Sequence, residues 1–338
     1  MRVLARRLLP ALACAALLLV SACAGVRSSE QKPAAGGRPP AAGELRLVIS
    51  RDYGARVLKD ILVPARAGMT VMRLLAEHCQ VDTKYGGGFI QSVDGLESSF
   101  GASSTTSADW FYWVDGVMGT VGAGDAALHG GQTAWLDYHR WDGAIYIPGA
   151  LAAFPAPFKS QALSLVVQAS SGETDMSVAV QAWAQRRGIR LRAVSPSPSP
   201  GSGPQSSSSG ASSAPQLIVG TPTRMARDST VGPALSRGAA AGVFVVIDSG
   251  RLYTLRADGT RGQELSAAAL AVSDPDHTGR LCLVLIAQDA PALRRLLGGF
   301  TAAAASAHVA LGLTAGGIIA LPAESANAPL AVASGGEK

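Results

Sequence analysis

Asp109-Trp110-Phe111-Tyr112-Trp113-Val114-Asp115-Gly116 sets four consecutive aromatic residues directly before a tight-turn dipeptide, in a chain that is only 5% aromatic. Successive side chains of a strand point to opposite faces, so Trp110 and Tyr112 share one face and Phe111 and Trp113 the other. Both faces of this strand therefore carry large rings. Trp135, Trp141, Tyr85, Phe89, Tyr138 and Tyr146 cluster in the surrounding sequence, where an ordinary core would use Leu, Ile and Val. Two readings remain open: an aromatic sheet core, since large rings dominate core energetics, or a flat apolar platform for a ligand or partner.

Outward from this strand, the pattern is that of short strands joined by turn signals. Leu45 to Ser50 and Val57 to Val63 read as a hairpin about Asp52-Tyr53-Gly54. Thr70 is placed to cap a helix from Val71 to Cys79, with Val71, Leu74, Leu75 and His78 on one face. Gly86-Gly87-Gly88 reads as a sharp turn, because the Lys and Ser/Thr of a phosphate loop do not follow it. Phe89 to Val93, the turn Asp94-Gly95, the aromatic strand, Asp115-Gly116 and Gln132 to Tyr138 complete the order hairpin, helix, further strands, which is the order of a β-grasp.

After Phe158 the texture turns to aliphatic strands and alanine-rich helices. Strands are expected at Ala162–Gln168, Ile189–Val194, Gln216–Gly220 and Leu281–Ala287, and helices at Met176–Arg187, about 230–240 and about 291–305. Hairpins are expected at 243–255 and 309–321. Residues 195–215 are nearly pure Ser, Pro and Gly and read as a disordered insert. The fold class is thus α+β: a β-grasp-like domain over 44–158 and a mixed α/β domain over 159–325, with a flexible tail at 326–338.

The first 23 residues speak to location. Arg2, Arg6 and Arg7 precede the apolar run Leu8–Val20, and Val20-Ser21-Ala22-Cys23 resembles a bacterial lipobox, which implies a signal peptide over 1–22 and lipidation of Cys23. The run is shorter than the ~20 residues of a membrane span. Residues 23–43 then read as a flexible tether, so the expected address is extracytoplasmic, in the cell envelope, lipid-anchored to the membrane. The formal charge of +5 loses three with those arginines, leaving a chain near neutrality that is a poor match for nucleic acid. Cys79 and Cys282 are expected to be buried thiols or, outside the cytoplasm, a disulfide.

With Tyr85-Gly86-Gly87-Gly88-Phe89-Ile90, Val93-Asp94-Gly95, the aromatic strand and Trp135-Leu136-Asp137-Tyr138, the segment from Leu45 to Tyr146 resembles the bacterial domain related to the C-terminal β domain of transcobalamin and intrinsic factor. The family's Asn-Gly after the aromatic strand is here Asp115-Gly116, which keeps the turn geometry. Trp135–Trp141 and Phe154-Pro155-Ala156-Pro157-Phe158 resemble lipoproteins of high-GC Gram-positive bacteria that carry this domain ahead of an α/β domain. The resemblance implies a ligand of corrinoid type held on one face by aromatic contacts. The helical domain that covers the other face in those relatives has no counterpart here.

No nucleophile elbow, Walker loop, Rossmann glycine pattern or zinc spacing occurs, so no enzyme, cofactor or metal is expected. His129 and His139 fit no ligand spacing, and Asp109, Asp115, Asp137 and Asp142 read as caps on backbone amides. The leading expectation is a non-enzymatic lipoprotein that binds a planar or amphipathic small molecule through Trp113, Trp110, Tyr85, Phe89 and Trp141 and feeds an uptake transporter subunit. The alternative is a protein-interaction or envelope-assembly lipoprotein that docks through the same patch.

Overall fold

In the computed structural model the described residues are 36–100, 107–141, 144, 146–168, 172–192, 215–273 and 280–323. The signal peptide, Cys23, most of the tether, the Ser/Pro/Gly insert up to residue 214, Asp142 and the tail lie outside them. The fold is α+β, as the order of elements implies.

The first half contains β1 (Glu44–Arg51), β2 (Arg56–Pro64), α1 (Val71–Ala76), β3 (Val81–Lys84), β4 (Phe89–Val93), β5 (Leu96–Glu97), β6 (Ala108–Val114), β7 (Val117–Met118) and β8 (Thr133–Arg140). Five strands form one sheet in the order β2-β1-β8-β6-β7. β1 lies parallel to β8 at its centre, while β2 and β6 flank them antiparallel, which is the β-grasp arrangement. Its hairpins close where the sequence places left-handed backbone: Asp52, Tyr53 and Gly54 all have positive φ, as do Asp115 and Gly116. Thr70 Oγ1 accepts from the Arg73 amide and starts α1, which ends at Ala76, three residues earlier than the apolar spacing suggests. β3, β4 and β5 make a separate three-stranded sheet.

The second half contains β9 (Leu163–Gln168), α2 (Glu173–Arg187), β10 (Leu191–Arg192), β11 (Gln216–Gly220), α3 (Pro222–Met225), α4 (Gly232–Arg237), β12 (Val245–Asp248), β13 (Arg251–Leu255), β14 (Arg261–Leu265), β15 (Ala267–Ser273), β16 (Leu281–Ala287), α5 (Ala290–Gly299), α6 (Ala302–Ala305), β17 (Ala310–Thr314) and β18 (Gly317–Leu321). Seven strands pair in the order β10-β9-β11-β16-β15-β17-β18, parallel from β10 to β16 and antiparallel beyond. One expectation changes. The helix from 291 to 305 is two helices, because Gly298-Gly299 ends α5 and Thr301 caps a fresh turn with its side chain. The alanine-rich run 267–273 is a central strand, not helix-forming sequence, since both its faces are covered and small side chains let the layers approach. Among the described residues no helix is long and apolar enough to cross a membrane.

The two halves share a core. One apolar cluster joins Val48, Tyr53, Trp113 and Trp135 of the five-stranded sheet to Ile218, Phe244, Val284, Ala307 and Ala310 of the second half. On its other face the five-stranded sheet buries Leu47, Trp110, Leu136 and Tyr138 against Leu74 and Leu75 of α1. A third cluster packs α2 and α5 on the far face of the seven-stranded sheet, around Trp183, Phe154 and Phe300. The described residues accordingly form one compact unit.

Candidate functional site

The aromatic strand β6 alternates as its sequence requires, and both of its faces are inside the protein. Trp113 is 0% exposed, stacks on Trp135 with ring centroids 4.4 Å apart, and donates its Nε1–H to the Ile147 carbonyl at 2.8 Å. Trp110 is 8% exposed, tilts against Tyr138 and donates to the Leu96 carbonyl at 2.9 Å. The expected platform on these two tryptophans is thus corrected. The face that a strand of an isolated β-grasp would show to solvent is covered here by the second half of the chain. Trp141 is half-buried and its Nε1–H is spent on Asp109 Oδ2 at 2.7 Å, at the end of the sheet.

Beneath β8 lies a buried polar network. Asp137 on β8 is fully buried and accepts from Ser50 Oγ at 2.5 Å, the Tyr53 amide at 2.8 Å, the Gly54 amide at 2.9 Å and His139 Nδ1–H at 2.8 Å. Trp135 Nε1–H in turn donates to Ser50 Oγ at 2.8 Å. The His139 ring is sandwiched between Tyr53 at 4.2 Å and Phe111 at 4.5 Å, and the Tyr53 hydroxyl donates to the Arg140 carbonyl. Serine, histidine and aspartate invite a triad reading, but the serine hydroxyl is bonded to the carboxylate and not to the imidazole, and all three groups are buried. What the arrangement does is hold the left-handed β1–β2 turn against β8, because two backbone amides of that turn end on one carboxylate. His308, from the second half, borders this turn. Burial pushes its imidazole below the ordinary value, with a backbone hydrogen bond at Tyr53 and the Asp137 carboxylate opposing.

Of the other aspartates read as caps, Asp115 and Asp109 are among the described residues, and both accept from backbone amides. Asp115 accepts from the Thr133 amide at 2.9 Å and from Gln132 Nε2 at 3.2 Å, while burial raises its carboxyl above the ordinary value. Asp109 accepts from Ser98 Oγ, the Phe100 amide and Trp141. His129 sits in an exposed turn, where its amide donates to Gln132 Oε1. Among the described residues no three His, Cys, Asp or Glu side chains converge as metal ligands. Cys79 is half-buried with its sulfur 3.2 Å from Lys59 Nζ, and burial raises its thiol, so it is not an activated nucleophile.

Three aromatic rings gather at the surface beside the small sheet; Tyr146, 50% exposed, also meets solvent but lies outside that sheet. Tyr85 is 74% exposed and lies edge-on to Phe89 at 6.1 Å; Phe89 contacts Phe100 at 5.5 Å, and Phe100 is itself 51% exposed. The three rings form a ledge running from the start of β4 to the end of the β5 segment. Tyr85 is presented by backbone geometry, since Tyr85, Gly86 and Gly87 all have positive φ and a Cβ on Gly86 or Gly87 would meet nothing within 4 Å. The tight loop also brings Gly122 alongside Gly88, which places exposed Val121 on the neighbouring loop. Of the residues expected to bind, Tyr85 and Phe89 are thus brought together and the three tryptophans are not. Phe100 was not anticipated: it sits in a Ser/Gly-rich stretch with no strand periodicity, and only its position shortly before the aromatic strand marks it.

Residues 68–140 match a family described as a domain of unknown function (DUF4430). That span runs from the start of α1 to the end of β8 and contains both the ledge and Asp137. A search of curated proteins finds no match. Among solved structures, the chain is similar to a crystal structure from Ruminococcus gnavus ATCC 29149 described as a "putative metal binding protein", at 12% identity and a TM-score of 0.23, covering 29% of this chain and 96% of that one.

Proposed function

We propose that the protein is a non-enzymatic, lipid-anchored extracytoplasmic binding protein that takes the flat face of a planar or amphipathic small molecule on the Tyr85–Phe89–Phe100 ledge and passes it to an uptake transporter. One observation carries the reading: three large rings, Tyr85 and Phe100 more than half exposed, lie in contact with one another at a turn whose backbone is left-handed at Tyr85, Gly86 and Gly87. Exposed aromatic clusters of this kind supply rigid contact area at little conformational cost. The buried Ser50, Asp137 and His139 have their geometry accounted for by the β1–β2 turn, which supports a role without catalysis. The corrinoid class suggested by resemblance fits a one-sided ledge, with the second face of the ligand left for the transporter.

The test is equilibrium dialysis of the purified protein with cobinamide, cobalamin, haem and flat vitamins, since the tryptophans are too deeply placed to report on the ledge. Tyr85→Ala with Phe89→Ala is expected to weaken capture at least ~10-fold with the melting temperature little changed. Retention of none of these molecules, together with specific retention of an envelope protein that the double variant loses, would replace capture by docking. Metabolic labelling with a palmitate analogue checks the anchor: label is expected on the natural chain and absent from Cys23→Ser.

A further inference from the structure

The layer formed by α2 and α5 carries a one-sided distribution of charge. β9 and β16 both run parallel to β11, so α2 and α5, which follow β9 and β16, each run back toward the end where these strands begin. Their acidic groups, Glu173, Asp175 and the cap Asp289, fall at the far end. Their cations lie apart from these: Arg186 in the last turn of α2, at the near end, and Arg294 and Arg295 midway along α5 on its exposed side. Arg190 and Arg192 join them, because β10 pairs with the very start of β9 through Leu191 and Leu163. Lys159 joins them as well: a Cβ on Gly188 would lie 3.4 Å from its Cε. All six are exposed, and none is engaged in an ion pair among the described residues. Arg190 reaches only the Ser160 carbonyl, at 3.4 Å, beside an open groove lined by Gln181, Gln185 and Leu191. Two arginines in the last turn of α2 complement the helix dipole, but that accounts for neither α5 nor the residues after the helix.

The chain enters the fold at this same end. A Cβ on Gly37 would lie 2.7 Å from Ala303 Cα, so Gly37 abuts α6, and α6 joins the end of α5 to the start of β17, which runs in the same sense as β16. Cys23 is 14 residues before Gly37, a reach of at most roughly 50 Å at full extension. A lipid on Cys23 would therefore be tethered to the fold at this end.

We infer that the rim of Lys159, Arg186, Arg190, Arg192, Arg294 and Arg295 seats the protein on the anionic phospholipid headgroups of the membrane that anchors it. The inference rests on the lipid-anchored reading for its biological setting and not for its test. Basic side chains at a surface are attracted to anionic leaflets within a Debye length.

Residues 24–338, purified without lipid, contain all three core clusters of the described residues. Sedimentation with vesicles of phosphatidylcholine alone should leave them in the supernatant, and vesicles with about 30% phosphatidylglycerol should carry them down, less so as salt is raised. Arg294→Glu with Arg295→Glu should lower the partition coefficient at least ~25-fold, since each basic residue near such a surface contributes about 5-fold. Arg294→Lys with Arg295→Lys should retain it, and Arg73→Glu, on α1, should change it by less than ~5-fold. Equal partition on both vesicle types, or no effect of the charge-reversed pair in a protein with an unchanged melt, would overturn the inference. So would binding of soluble polyphosphate without binding of the anionic vesicles, which would assign the rim to a soluble polyanion. These outcomes are independent of the Cys23 label, so the anchor and the rim stand or fall separately.

Discussion

Trp113→Ala is the substitution that most directly weighs the buried aromatic strand. The indole is wholly inside the cluster shared by the two halves, stacks on Trp135 and donates to Ile147. Truncating a buried Trp costs about 3–5 kcal/mol. Loss of the ring pair adds roughly 0.5–1.5 kcal/mol, and the Ile147 carbonyl left without its donor adds roughly 1 kcal/mol or more. These contributions overlap, since the truncation figure already contains some lost contacts, so about 4–6 kcal/mol is expected. For a protein of this size that lowers Tm by roughly 10–20 °C. Urea melts followed by both far-ultraviolet dichroism and tryptophan emission provide the assay. Both probes should shift together, because the ring bridges the halves. Trp113→Phe, which keeps most of the apolar contact, should lose less than half as much. A cost under ~1 kcal/mol for Trp113→Ala, with capture abolished, would refute the burial argument and restore this ring to a binding role.

Asp137→Ala should cost about 3–5 kcal/mol, read from the same melts, because it strands two backbone amides, a hydroxyl and an imidazole in the interior; a loss under 1 kcal/mol would mean that water replaces the carboxylate. Gly54→Ala should abolish soluble expression or cost more than ~3 kcal/mol, since its φ is +86° and the new Cβ would fall 1.5 Å from the Ala307 carbonyl oxygen. Gly86→Ala, with φ +70° and open space around it, should cost only ~1 kcal/mol; equal losses at the two positions would contradict the packing. For pH, His308 has its folded value depressed by burial below the ordinary 6.5. Its neutral form is favoured by the fold, so this contribution is complete above pH ~6.5 and is lost as pH falls below it and through the folded value. Urea melts between pH 8 and 5 should show that loss, and His308→Gln should flatten it; an unchanged slope would refute the assignment.

What was legible in the sequence was local. Thr70 caps α1, Asp94-Gly95 and Asp115-Gly116 turn their hairpins, and alternation along 110–114 assigns each ring to its face, because each depends on residues a few positions apart. The β-grasp order follows from those elements, and Tyr85 and Phe89 stood out as aromatic residues at a glycine turn. Which face of β6 meets solvent was not legible. Trp113 lies in one buried cluster with Phe244, Val284 and Ala307, residues distant in sequence that arrive only when the second half folds back, and periodicity reports a face without naming what lies against it. The same holds for Asp137: its type and position suggest a cap, but the turn it holds comes from residues 53 and 54, brought alongside by the parallel pairing of β1 with β8. The alanine run 267–273 became a strand for a related reason. Its intrinsic preference is helical, and burial of small side chains between two layers overrides it. Sequence thus fixes the elements and their faces through short-range geometry, whereas tertiary packing decides which aromatic rings are core and which remain exposed, because burial depends on contacts between residues far apart in the chain.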